Sequence, residues 1–256
     1  MIYKKSWKYI LIRDNSQFCR VNKFYRLFAV KNFSNIPKEK LGGYIYGYYN
    51  LSQKGDCWVY DNAWVYGHAH ISENAKIYGN TRICGNAQVS GNARIYNSPR
   101  IMGTVAISDF VKIYGDVTIE DNVRISDKVK ISGEARISGS VILKDNVQVS
   151  EEARISGSAQ VSGNSCISGG TRIWGNVLIS ENAKITACTE VYGNAKISGN
   201  AIISGKSRVF GNADVAGDVI VAGHVMIYGN AKVSGNEKLT GVLDITWYIK
   251  NLGSIF

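Results

Sequence analysis

Residues 191–203 read VYGNAKISGNAII and show the six-residue period that decides the fold of this chain. Counting in steps of six from Val59 meets only Ile, Val or Leu as far as Leu239. The position four residues after each is small or β-branched in nearly every repeat, as at Ala63 and Ala69. A helix needs apolar residues about every 3.6 positions and a lone strand alternates by two, so neither fits a strict six. The period predicts a short strand and a turn, stacked many times as a parallel β-helix.

Within one repeat, the aliphatic residue and the small residue are expected to face inward. The residues on either side of the aliphatic one face outward, because side chains alternate across a strand. We therefore expect Ile131 and Ile155 to be buried, with Lys130 and Arg154 outward. Pairs such as Gly193-Asn194 are expected to form the turns, since Gly and Asn tolerate positive φ.

The pattern aliphatic–x–x–x–small–x is similar to the hexapeptide repeat of the left-handed β-helix acyltransferase superfamily. The resemblance covers residues 59–239 and implies three hexapeptides per triangular coil, hence about ten coils. Residues 42–58, GGYIYGYYNLSQKGDCW, also resemble the lead-in segment of a bacterial group of acetyltransferase-like hexapeptide proteins. We predict an all-β chain with an N-terminal cap over 1–58, a left-handed parallel β-helix over 59–239 and a C-terminal cap over 240–256.

Charge is unevenly placed along the 256 residues, whose formal net charge is +10. Residues 1–50 hold ten Lys or Arg and two acidic residues, so the rest of the chain is nearly neutral. Strands are predicted near 8–12 and 25–30, with a loop over 31–40. A β-helix end exposes apolar core and open strand edges, so this basic, aromatic segment is expected to be a cap. A surface for anions or nucleic acid is the alternative.

Two aromatic columns are predicted on the outside of the coil, because stacked positions lie 18 residues apart. The tyrosine column consists of Tyr60, Tyr78, Tyr96 and Tyr114, beside Trp58, Lys76, Arg94 and Lys112. The mixed column, on the next face, consists of Trp174, Tyr192, Phe210 and Tyr228. Three interpretations stay open: stacking that stabilises the sheet, a self-association face, or a groove for a glycan or polyanion.

Catalytic candidates follow from the superfamily resemblance, which implies a His base beside an acyl-CoA groove, often with a loop extruded from the coil. The register never slips between Val59 and Leu239, so no extruded loop is expected. His70 directly precedes Ile71 and is expected to point outward, whereas His68 falls at a turn. These two histidines are the candidate bases, with acetyl-CoA as cofactor, if the chain is an acyltransferase.

A metal site is not predicted. His68 and His70 are close in sequence, but His224 lies several coils away, and a zinc shell needs more ligands. The chain contains no P-loop, G-x-S-x-G or H-E-x-x-H motif.

The favoured function is a rigid scaffold or binding module that forms a homo-oligomer, a trimer or dimer, through the mixed column. Arg172 and Arg208 are expected to stack on its rings across the interface. The alternatives are an acyl-CoA-dependent acetyltransferase and a glycan or polyanion binder, and whether the chain is an enzyme stays open.

A cytoplasmic location is expected. No apolar run is long enough for a membrane span, and the first residues lack the apolar region of a signal peptide. Five cysteines without C-x-x-C spacing predict free thiols in a reducing compartment.

Overall fold

The computed structural model describes residues 7–13, 24–250 and 254–255 of the chain. It is an all-β parallel β-solenoid of about 11 turns, in which the described residues form many short strands and a 3-10 helix at Tyr48–Asn50. The fold class predicted from the six-residue period is therefore confirmed, and the left-handed sense of the coil stays a prediction. The chain divides into two compact units, residues 1–121 and 122–256.

The first unit opens with a small antiparallel sheet that continues into one sheet of the solenoid. Its strands are β1 (Tyr9–Arg13), β2 (Tyr25–Ala29) and β3 (Leu41–Ile45), and β2 pairs with both of the others. The strands predicted near 8–12 and 25–30 are confirmed. The loop between β2 and β3 contains an isolated bridge between Phe33 and Ile36.

The solenoid strands of the first unit are mostly two residues long. They are β4 (Trp58–Val59), β5 (Trp64–Val65), β6 (His70–Ile71), β7 (Lys76–Ile77), β8 (Arg82–Ile83), β9 (Gln88–Val89), β10 (Arg94–Asn97), β11 (Arg100–Ile101), β12 (Ala106–Ile107), β13 (Lys112–Gly115) and β14 (Thr118–Ile119). Pairing is parallel and joins every third strand, so that β10 pairs with β7 and β13. The register places Ile95 opposite Ile113 and Tyr96 opposite Tyr114.

The second unit repeats this arrangement. Its strands are β15 (Arg124–Ile125), β16 (Lys130–Ile131), β17 (Arg136–Ile137), β18 (Ile142–Leu143), β19 (Gln148–Val149), β20 (Arg154–Ile155), β21 (Gln160–Val161), β22 (Cys166–Ile167), β23 (Arg172–Gly175), β24 (Leu178–Ile179), β25 (Lys184–Ile185), β26 (Glu190–Gly193), β27 (Lys196–Ile197), β28 (Ile202–Ile203), β29 (Arg208–Val209), β30 (Asp214–Gly217), β31 (Ile220–Val221), β32 (His224–Ile227), β33 (Lys232–Gly235), β34 (Lys238–Leu239), β35 (Val242–Ile245), β36 (Tyr248–Lys250) and β37 (Ser254–Ile255). Here too every third strand pairs in parallel, as β23 does with β20 and β26.

The core is the aliphatic column that the sequence predicted. Every position in the six-residue register from Val59 to Leu239 is buried, including Ile131 and Ile155. Lys130 and Arg154 are exposed, as expected from strand alternation. One repeat buries little apolar surface by itself, so the stability of the coil comes from stacking these side chains into a continuous core.

In the turns, the Gly and the Asn of each Gly-Asn pair have different roles. Gly193 takes the left-handed conformation, with φ of 75°, and Asn194 does not. The Asn194 side chain instead donates a hydrogen bond to Oδ1 of Asn212, 3.1 Å away, one coil further on. Positive φ in these turns is thus mainly a glycine property, while the asparagines form ladders along the stack.

The lead-in segment fits the small sheet tightly to the first coil. A Cβ on Gly42 would come within 2.6 Å of the Val59 carbonyl oxygen, and one on Gly43 within 2.6 Å of the Ala63 carbonyl oxygen. Only glycine allows β3 to approach this closely. Asn50 is fully buried, and its amide group donates to the Ala69 carbonyl at 2.7 Å and accepts from the Gly47 N–H at 2.9 Å. The residues behind the family resemblance in this segment therefore have structural roles.

The C-terminal strands continue the solenoid beyond Leu239. Strands β35, β36 and β37 pair with β32, β33 and β34. Trp247 lies in the segment predicted as the C-terminal cap, and its side chain is 56% exposed. The side chains of Tyr248, Ile249 and Leu252 in the same segment lie outside the described part.

The structure also bears on the expected absence of a membrane span and on the expected free thiols. No helix among the described residues is long and apolar enough to cross a membrane. Cys57, Cys84, Cys166 and Cys188 are free thiols, and Cys19 lies outside the described residues.

Candidate functional site

The tyrosine column is split into two stacked pairs. The ring centroids of Tyr60 and Tyr78 lie 4.2 Å apart with planes 16° from parallel, and those of Tyr96 and Tyr114 lie 5.0 Å apart at 2°. Tyr78 and Tyr96 occupy neighbouring rungs, yet their rings do not stack in the described structure. The column is therefore interrupted in its middle.

An open pocket of about 440 Å³ lies at this interruption. It is lined by Tyr78, Arg94, Tyr96 and Lys112, all of which the sequence predicted as binding residues. Arg94 and Lys112 are exposed, because each directly precedes a buried isoleucine on its strand. The pocket thus combines two half-buried phenol rings with two cations.

The N-terminal cap occupies the beginning of the same column. The Tyr60 hydroxyl donates to Asn35 Oδ1 at 3.3 Å, and the Lys76 ammonium donates to the same oxygen at 2.8 Å. Burial lowers the pKa of Lys76 and, together with the nearby Tyr78, raises the pKa of Tyr60. These two predicted binding residues are engaged by the cap, in contrast to Arg94 and Lys112.

Two positions predicted to face outward are in fact buried. Trp58 is fully buried and packs edge-on against the rings of Tyr9 and Phe33, at centroid distances of 6.0 and 5.4 Å. Tyr60 is only 9% exposed. The cap covers both, and the six-residue period gives no signal of that contact.

The mixed column is stacked without interruption. Its centroid separations are 4.4 Å from Trp174 to Tyr192, 4.7 Å from Tyr192 to Phe210 and 5.0 Å from Phe210 to Tyr228. The planes lie within 6° of parallel, so most ring faces are covered by the next ring. The outer edges remain accessible, and Trp174 is 37% exposed.

The arginines beside the mixed column pair within the chain. Glu190 lies between them on the central strand and accepts from Arg208 Nε at 3.0 Å and lies 3.9 Å from Arg172 Nη1. The sequence alone predicts that both arginines stack on rings across an interface and does not indicate their pairing with Glu190. Within the chain, Glu190 partly compensates the charges of the arginines on the two neighbouring strands.

The candidate histidine bases lie near the 3-10 helix. His70 Nδ1 is 2.5 Å from the Tyr49 carbonyl oxygen, which can only accept, so Nδ1 carries the proton. This leaves Nε2 as the nitrogen that could act as a base. His68 is exposed, with its ring 6.4 Å from that of Tyr49. His224 is exposed in the second unit, and the described residues contain no cluster of three or more potential metal ligands.

Nothing in the sequence indicated that Lys8, in the cap, is buried. Lys8 is 2% exposed, and its ammonium donates to the Gly55 and Cys57 carbonyls, each at 3.0 Å. Burial lowers the pKa of Lys8 and raises that of the neighbouring Cys57 thiol. Its position in a basic segment suggested a surface charge, but Lys8 joins the beginning of the cap to the lead-in segment.

The interruption of the tyrosine column was also missed, although the sequence carries a signal. Residues 96–100 read YNSPR, where the fullest repeats, such as residues 192–196 (YGNAK), have a Gly-Asn turn followed by Ala. Asn97 takes the left-handed conformation, with φ of 73°, in place of a glycine.

Comparison with known proteins agrees with the fold. A protein-family model described as YdcK Beta solenoid repeat matches residues 87–101, a stretch that includes Arg94 and Tyr96 of the pocket. This match supports the repeat type that the period and the hexapeptide resemblance predicted. A search of curated proteins found no match.

Two solved structures of acyltransferases are similar in outline. The UDP-N-acetylglucosamine O-acyltransferase (LpxA) from Moraxella catarrhalis RH4 has a TM-score of 0.38 and 19% identity, covering 65% of this chain and 66% of that one. The UDP-N-acetylglucosamine acyltransferase from Francisella novicida has a TM-score of 0.26 and 18% identity, covering 70% and 66%. The matched part is just under two thirds of each neighbour, and similarity at this level says nothing about activity.

Proposed function

We propose that this protein is a rigid β-solenoid scaffold that self-associates through the mixed column. The observation that supports this is the unbroken stack of four aromatic rings on one outward face of the second unit. A rigid backbone holds the rings in line, because each is attached to a strand whose neighbouring aliphatic residue is buried.

A second copy of the chain is the partner that fits this surface. The ring edges form a narrow apolar stripe, and such stripes commonly mark interfaces. The stripe can pack against its own copies, because ring edges can meet around a twofold axis in a dimer or around a threefold axis in a trimer. We therefore propose a closed dimer or trimer.

Charge beside the stripe is compatible with close approach of two copies. Glu190 offsets part of the positive charge of Arg172 and Arg208 on adjacent rungs. Exposed ion pairs of this kind add little stability by themselves. Their value here is that they reduce the repulsion that two uncompensated arginines in one column would create between copies.

Sedimentation velocity tests this function. We expect the wild-type protein to run as an oligomer at concentrations on the order of tens of micromolar, and Trp174→Ser with Phe210→Ser to run as a monomer. Each lost ring removes the burial of its exposed edge at the interface, which is a part of the value, on the order of 1.5–3 kcal/mol, for a fully buried side chain. Circular dichroism should show an unchanged β signal.

The matched control is Tyr96→Ser with Tyr114→Ser, which removes two rings from the tyrosine column. This variant should stay oligomeric. A wild-type protein that is monomeric in this range, or a control that dissociates as readily as the test variant, contradicts self-association through the mixed column.

A further inference from the structure

We propose that the pocket between the two tyrosine pairs binds an acidic saccharide, meaning a glycan segment that carries uronic-acid carboxylates. The four lining residues are Tyr78, Arg94, Tyr96 and Lys112. This goes beyond self-association, since the pocket lies within residues 1–121 and the mixed column within residues 122–256.

The aromatic part of the pocket suits a sugar ring. Tyr78 stacks on Tyr60 and Tyr96 stacks on Tyr114, so each phenol is supported from one side and leaves space between the pairs. A pyranose has an apolar C–H face that can pack on an aromatic ring, while its hydroxyls can bond to the phenol oxygens. Rings fixed in advance in this way lose little conformational entropy on binding.

The cationic part of the pocket suits a carboxylate. Arg94 and Lys112 stand opposite each other on paired strands, and neither forms an ion pair with a described acidic residue. No Asp or Glu lines the pocket. The arginine fork can hold a carboxylate through two parallel N–H···O bonds, and the lysine adds a second charge.

The number of available cations favours a saccharide over a nucleic acid. A single strand carries one charge per nucleotide and is usually held by a groove of many cations. Within the first unit this column offers two, because Lys76 is bound to Asn35 and Ser34 of the cap and the first position is the uncharged Trp58. An acidic glycan needs fewer cations, and the open pocket lets its chain continue outward.

Isothermal titration calorimetry with an unbranched hexagalacturonate tests the assignment, at salt on the order of 50 mM to limit screening. We expect saturable binding to the wild-type protein and much weaker binding of the fully methyl-esterified hexamer, which keeps the rings but lacks the charge. Arg94→Gln with Lys112→Gln should weaken binding by about tenfold or more. Tyr96→Ser should also weaken it, because one wall of the pocket is lost.

The matched control is Lys184→Gln with Lys196→Gln, which removes two exposed cations that also precede buried isoleucines. Its affinity should stay within about twofold of the wild type. Thermal melts establish that each variant is folded, and sedimentation velocity on the same samples reports self-association separately.

Four results would overturn the proposal. They are no heat of binding at millimolar hexagalacturonate, equal binding of the methyl ester, an equal loss of affinity in the control variant, and tighter binding of a six-residue oligothymidylate in the same buffer. The last result would instead identify the pocket as a surface for single-stranded nucleic acid.

Discussion

The two aromatic columns follow the same 18-residue spacing but end in different structures. The mixed column is one continuous stack of four rings, whereas the tyrosine column forms two separate pairs with a pocket between them. Both rest on buried Ile and Val positions in the same register. The difference therefore does not come from the core.

The turns that follow the rings differ between the two columns. After the rings of the mixed column come Gly175, Gly193, Gly211 and Gly229, all with positive φ. A Cβ on Gly175 would lie 2.6 Å from the Gly193 carbonyl oxygen, so these turns stack more closely than other residues permit. After the tyrosines the corresponding residues are Asp61, Gly79, Asn97 and Gly115. The turn residue also changes within the stacked pairs Tyr60–Tyr78 and Tyr96–Tyr114, so the identity of the turn residue does not by itself account for the gap.

The largest expected effect comes from breaking the core on which both columns depend. Ile155→Asp buries a carboxylate without a partner, and we expect a loss of several kcal/mol in the free energy of unfolding. Arg154→Asp is the matched control, because it places the same charge outward on the same strand. Urea denaturation measures both. A cooperative transition at the wild-type midpoint in Ile155→Asp would show that the inward register is wrong.

A smaller effect on stability is expected from removing one ring, and it should differ between the mixed column and the tyrosine column. Phe210 stacks on two rings, Tyr192 and Tyr228, whereas Tyr96 stacks on Tyr114 alone. Phe210→Ser should therefore destabilise the chain by about 0.5–1.5 kcal/mol more than Tyr96→Ser, because it removes one more stacking interaction. The unfolding midpoints of the two variants decide this, measured at a concentration where both are monomeric. Equal losses would mean that stacking along the column contributes nothing beyond local burial.

The pH dependence of stability at alkaline pH tests whether the cap buries Tyr60 of the tyrosine column. Burial raises the pKa of Tyr60 above its ordinary value of 10.0, so the folded protein keeps a phenol proton that the unfolded chain releases. The stability linked to this group is fully present below about pH 10 and is lost as the pH rises further. The advantage of the wild type over Tyr60→Phe should therefore shrink between about pH 8 and pH 11.

Urea midpoints at the two pH values measure this change. Tyr96→Phe, which also removes one hydroxyl from this column, is measured alongside as the control. An advantage of the wild type over Tyr60→Phe that is constant or growing with pH would contradict burial of Tyr60 under the cap.

The smallest effect is expected at the histidines, because the proposals assign function to the aromatic columns. We expect purified protein to release no CoA from acetyl-CoA with small amine or sugar acceptors, and His70→Ala to behave like the wild type. A thiol-reactive dye measures CoA release. Turnover that disappears in His70→Ala or His68→Ala would establish acyl transfer and make one of these residues its base.

The sequence by itself determined the repeating part of the protein. The unbroken register from Val59 to Leu239 predicted which side chains are buried, which face outward, and which outward residues share a column. These properties are local and periodic. Side chains alternate along a strand, and a turn of fixed length returns the chain to the same register, so a six-residue pattern is sufficient to specify them.

The tertiary structure decided what happens where the repeat meets other parts of the chain. Trp58 and Tyr60 are buried because Tyr9, Phe33 and Asn35 cover them, and no periodic signal encodes that contact. The pocket exists because Tyr78 and Tyr96 belong to different stacked pairs, although their spacing is the same as everywhere else in the column. The first contacts depend on how the non-repeating cap packs against the coil, and ring stacking depends on the local geometry of each rung. The 18-residue spacing alone therefore predicts the column but not the gap within it.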